Sequence, residues 1–93
     1  MKSICPEIDT AIKLALDDGN KIKESSEGWS KAKQVFFMEK KLTQELKNKI
    51  KTEIPKLEYW NDAGSPHNEP DEGFFCNECT VGISFPVARR VVR

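Results

Sequence analysis

The chain has one histidine and three cysteines among 93 residues, and no net charge. Each scarcity excludes something. With no apolar run of membrane-span length, a spanning helix is not expected. The opening "MKSICPEIDTAIKLAL" is interrupted by Pro6, Glu7 and Asp9, so it does not read as a secretion signal and a cytoplasmic protein is expected. An odd cysteine count argues against a secreted disulfide framework and leaves free thiols or metal ligation. The length suits one small domain with a modest core.

Charge is neutral only on average. Residues 1–20 sum to −2 and residues 21–56, with ten lysines against five glutamates, to +5. Residues 57–88 hold six acids (Glu58, Asp62, Glu69, Asp71, Glu72, Glu78) and no Lys or Arg, and Arg89, Arg90 and Arg93 close the chain. Folding the acidic part onto the basic one neutralises both; alternatively, each block faces a partner of opposite sign.

Periodicity predicts an α-rich domain, α or α+β: an antiparallel helical hairpin over 1–57 with a short irregular or β C-terminal segment. Pro6 suits a first helical turn. Ile8, Ala11, Ile12 and Ala15 then recur at helical spacing up to Gly19-Asn20, giving a helix over 6–18, or 6–24 if Ile22 extends it. After "SSEGW", the positions Ala32, Val35, Met38, Leu42, Leu46, Ile50 and Ile54 form a slowly drifting stripe that predicts a second helix over 27–53, ended by Pro55. Trp29 falls at its core edge. Residues 58–73 read as an acidic loop and 74–88 as a strand-like segment with a hairpin turn at Asn77-Glu78. Residues 89–93 are a basic tail.

Cys76 and Cys79 dominate the chemistry. A Cys-x-x-Cys turn aims two sulfurs at one point, and zinc takes four ligands, usually Cys and His. His67 and Cys5 are the remaining residues of those types, so Cys5, His67, Cys76 and Cys79 form a candidate structural zinc site, with Glu69, Asp71 or Glu72 as substitutes for Cys5. Thiols without metal are the bland alternative. A redox pair lacks its βαβ context, and Glu78 between the sulfurs would raise their pKa. "HNE" before "CNEC" has the order of a zinc deaminase motif, but only six residues separate the halves and Phe75 stands where a proline is needed.

On a helix over 27–53, Lys33, Lys40, Lys47 and Lys51 would lie within about 40° of one another. Phe37 falls among them, exposed unless the C-terminal third covers it. This row is a candidate partner-binding edge, with Glu69, Asp71 and Glu72 as a second, acidic contact. No catalytic set is evident. The expected function is a small macromolecule-binding regulator or inhibitor of bacterial or phage type, acting on a protein. Nucleic-acid binding through the lysine row is the alternative, opposed by the zero net charge.

Cys76, Cys79, Ile83 and Ala88-Arg89-Arg90 also resemble part of the zinc finger of the DksA and TraR group, bacterial regulators that enter the RNA polymerase secondary channel. That likeness spans fifteen residues, with the Ile and Ala-Arg-Arg spaced two residues further out than in those fingers. It implies an RNA-polymerase-binding transcription regulator as a further reading.

Overall fold

The computed structural model describes residues 5–29, 32–64 and 70–87, with nothing stated of the Gly28 and Trp29 side chains. The element order is α1 (Pro6–Asp17), β1 (Ile22–Trp29), β2 (Ala32–Met38), α2 (Gln44–Glu53), β3 (Glu58–Asp62), β4 (Asp71–Cys76) and β5 (Val81–Pro86). The strands form one sheet in the order β1-β2-β5-β4-β3. Only the central β2–β5 pair is parallel; β1–β2, β3–β4 and β4–β5 are antiparallel. The fold is therefore mixed α+β, and the α-rich helical hairpin is overturned.

The first helix begins where Pro6 pre-sets the backbone, and it ends at a glycine. Gly19 has φ +91, the Asn20 N–H bonds to the Ala15 carbonyl at 3.0 Å, and the Gly19 N–H to Leu16 at 3.0 Å. A left-handed residue closing the last carbonyls is the usual helix stop. Ile8, Ala11 and Ala15 are its buried face. The two alanines let the helix approach β4 and β5 closely.

The long second helix does not exist. Its first half is β2, and only Gln44–Glu53 is helical, capped by Thr43 Oγ1, which accepts from the Leu46 N–H at 3.1 Å. All seven residues of the stripe are nevertheless buried. The reason lies in the place of β2 at the sheet centre. Its side chains alternate between faces, Phe36 and Met38 toward the helices and Val35 away, where Val35 is buried beside Gly82 and Phe75. Spacings of three along such a strand imitate a helix. "QVFFM", four contiguous apolar residues after a glutamine, is the strand signal that the stripe concealed.

Residues 58–73 are likewise not one loop. Glu58–Asp62 and Asp71–Cys76 pair as β3 and β4, with Trp60 opposite Gly73. Gly73 has a direct steric reason: an added Cβ would collide with the Ile83 carbonyl and lie 3.0 Å from Trp60 Cζ2. The expected turn at Asn77-Glu78 is present between β4 and β5.

Both helices lie on one face of the sheet. There Ile8, Ala11, Ala15, Leu46 and Ile50 meet Phe74, Cys76, Val81, Ile83 and Phe85 in the core. Asn20, 5 % exposed, ties the α1–β1 turn to the exit of β2: its Oδ1 accepts from the Lys40 N–H at 2.8 Å and the Lys21 N–H at 3.0 Å, and its Nδ2 donates to the Lys40 carbonyl at 3.2 Å.

Candidate metal centre

Two chain segments far apart in sequence meet at one end of the core. Cys5 stands in extended conformation at the N-cap of α1, without a side-chain cap bond. One turn of chain then places Glu7 beside it, with Cys5 Sγ 3.7 Å from Glu7 Oε1. From the other side, Cys76 is the last residue of β4, and Cys79 lies in the four-residue turn to β5. That turn is closed by the Thr80 N–H on the Cys76 carbonyl at 2.7 Å, with Thr80 at φ +53. The left-handed Thr80 reverses the chain in few residues, so both sulfurs point the same way.

One ligand atom from each of Cys5, Glu7, Cys76 and Cys79 lies within 4.8 Å of every other, close enough to hold a metal ion. Cys5 and Cys76 are buried, and Glu7 and Cys79 are half-buried. All three thiols are free, not bridged. Burial, then Cys79 and Cys76 as neighbours, pushes the Cys5 thiol well above its ordinary range. For Cys79, the hydrogen bond from Cys5 pulls the pKa down, but burial, Cys76 and the Glu7 charge outweigh it and the net shift is upward. Crowding of acidic groups without a cation has this signature, and a bound cation reverses it.

Three of the four expected donors are thus brought together. His67 and Glu69 lie outside the described residues. Asp71 and Glu72 are not in the cluster: Asp71 accepts from Ser84 Oγ at 3.0 Å and Glu72 from the Tyr59 hydroxyl at 2.6 Å. Glu7 was missed. Its signal is local, two residues after Cys5 at the start of a helix, whereas the carboxylates expected as ligands, Glu69, Asp71 and Glu72, stand shortly before Cys76.

The lysine row is dispersed. Lys33 is on β2, Lys40 follows it, and Lys47 and Lys51 are on α2 with their ammonium groups 4.0 and 5.3 Å from the Tyr59 ring centre. Phe37 is a half-buried strand residue between Glu24 of β1 and Ser84 of β5. The arginine tail lies outside the described residues. Among these, no helix is long and apolar enough to cross a membrane.

No protein-family profile, curated protein or solved structure matches the chain. The likeness of residues 76–90 to the DksA and TraR finger is therefore local. The donors beside Cys76 and Cys79 here come from the N-cap and first turn of α1.

Proposed function

We propose that this chain is a zinc-stapled protein-binding module of regulator or inhibitor type, without catalysis of its own. The convergence of Cys5, Glu7, Cys76 and Cys79 carries the reading. Three sulfurs and one carboxylate suit zinc, which binds both ligand types in a tetrahedron, whereas calcium and magnesium take oxygen sets. Cys5 anchors the start of α1 and the other two cysteines bracket the β4–β5 turn, so an ion would fasten the helix layer to the sheet. In a small domain such a link adds directly to folding stability.

With the cysteines committed to holding the fold, the surfaces are left for recognition. Both helices occupy one side of the sheet. The other side presents the half-buried Trp60 and Phe75 beside a buried Val35, and a part-exposed aromatic pair fits a binding role. The test has two parts. Protein purified without added metal should contain one zinc per chain, and zinc removal should lower its melting temperature. An immobilised holoprotein should then retain a discrete protein partner from its own source. Metal-free protein of unchanged stability would end the staple, and retention of nucleic acid alone would end the protein-binding reading.

A further inference from the structure

The sheet face away from the helices carries a groove of ≈ 330 Å³ floored by Val35, Phe75 and Gly82 and flanked by Trp60, Glu58 and Asp62. Its size is at the lower end of the about 300–1,000 Å³ of ligand pockets, which suits a single side chain more than a cofactor. One row of paired residues floors it, and of the next row Trp60 lines its side. Val35, Gly82, Phe75 and Glu58 stand side by side across β2, β5, β4 and β3, and Phe37, Ser84, Gly73 and Trp60 form the next row. Gly82 keeps the middle of the first row low, and Trp60, lying close over Gly73, walls the groove.

The residues lining this groove carry charge of one sign, Glu58 and Asp62, although the exposed Lys33 of β2 shares the face. Asp62 pairs directly with Asp71 across β3 and β4. Alternation puts both on the same face as Glu58. Like charges directly opposite each other on a sheet are destabilising. Burial raises the Asp71 pKa, the Ser84 hydrogen bond lowers it and the Asp62 charge raises it further. The three carboxylates do not converge on a point: among the described residues only the Cys5 cluster brings three or more donors together. Acids spread around an aromatic groove match a broad, planar cation better than a metal ion.

We propose that this groove receives an arginine side chain from a basic segment of a partner protein, its guanidinium against Trp60 or Phe75 and its charge facing Glu58 and Asp62. Guanidinium groups stack on aromatic faces and are less strongly hydrated than ammonium, so arginine is preferred to lysine. The inference rests on the protein-binding reading and names the partner's chemistry.

The test is fluorescence anisotropy with labelled hexa-arginine and hexa-lysine peptides on the zinc-loaded full chain, at low and physiological ionic strength. Hexa-arginine should bind several-fold tighter than hexa-lysine. Glu58→Gln with Asp62→Asn should weaken it tenfold or more, while Asp17→Asn with Glu53→Gln, the same charge change elsewhere, should alter it less than twofold. Circular dichroism establishes that all variants are folded. Absence of hexa-arginine binding, equal affinity for both peptides, or equal loss in both double variants would overturn the proposal. So would displacement of the peptide by stoichiometric calcium, which would assign the carboxylates to a metal. A captured protein partner indifferent to Glu58→Gln and Asp62→Asn would leave the binding module standing and remove the groove from it.

Discussion

Cys5 Sγ lies 3.7 Å from Glu7 Oε1, a thiol beside a carboxylate with two more thiols within reach. Without a cation the Cys5 and Cys79 thiols stay protonated, Cys5 donating to Glu7; with one, all four groups become ligands. Cys5→Ser, Cys76→Ser and Cys79→Ser should each abolish stoichiometric zinc. Glu7→Gln should keep one ion but bind it at least about tenfold more weakly, the smallest loss typical even for an outer-sphere partner. His67→Ala should leave stoichiometry and affinity unchanged. Metal analysis after dialysis, with chelator competition for affinity, checks all five, and loss of zinc in His67→Ala would replace Glu7 as the fourth ligand.

The raised Cys5 and Cys79 thiols set opposite pH responses for the two forms of the protein. A thiol whose folded pKa exceeds its unfolded value stabilises the fold below the ordinary thiol range, near pH 8.5, and loses that contribution as pH rises through the shifted value. Metal-free protein should therefore weaken on the alkaline side. Zinc must displace the protons of all three cysteine ligands, so its affinity should fall about a thousandfold per pH unit below neutrality, about tenfold for each thiol. Thermal melts of both forms between pH 6 and 10 on the order of half-unit steps, with calorimetric counting of released protons, check the two signs. A metal affinity flat with pH would mean that the thiols are not ligands.

How much of this was legible in the sequence depended on which force fixed each element. Pro6, Gly19 and the Cys-x-x-Cys turn are set by local backbone chemistry, and all three appear where the residues put them. The β2 strand is set by its neighbours. Val35 and Met38 are buried on opposite faces, Met38 in the core under the helices and Val35 beside Gly82 of β5, which arrives from about fifty residues along the chain, beyond the reach of any local window. The acidic strands β3 and β4 lack the apolar alternation of ordinary strands, since their outer ends carry Glu58, Asp62, Asp71 and Glu72. Three of the four metal donors were found by residue type; Glu7 needed the geometry of the α1 start.

Asp62 opposite Asp71 predicts a conflict between stability and binding. Asp62→Asn removes the repulsion while keeping a side-chain oxygen able to accept the Gly64 N–H, which Asp62 Oδ1 now receives at 2.9 Å. The variant should be more stable at neutral pH by about 0.2–1 kcal/mol, the range for cross-strand charge pairs. The gain should vanish at low pH. Asp71 has its folded pKa raised, so its protonated form is favoured by folding, and the penalty from its charge is present only as pH rises through that value. Urea melts at neutral and acid pH measure both. A more stable protein that binds arginine less well marks a pair kept for recognition, whereas no gain at neutral pH would mean that solvent already screens the two charges.

Asn20 holds the α1–β1 turn to the end of β2 through three bonds from one buried amide, two received and one donated. Asn20→Ala leaves the Lys40 N–H and carbonyl without that partner in a part-buried place and should cost about 1–3 kcal/mol. In a domain of this size each kcal/mol is about 4–8 °C of melting temperature. Asn20→Asp keeps both accepted bonds and loses only the one to the Lys40 carbonyl, which a carboxylate repels, so its loss should fall between those of wild type and alanine. Amide exchange at Lys21 and Lys40 separates this clamp from a general loss of fold. In Asn20→Ala those two amides should exchange faster by more than the drop in global stability explains, while amides of β4 and β5 follow the global value. Uniform acceleration across the sheet would show that Asn20 acts on the whole domain and not on the junction of α1 with β2.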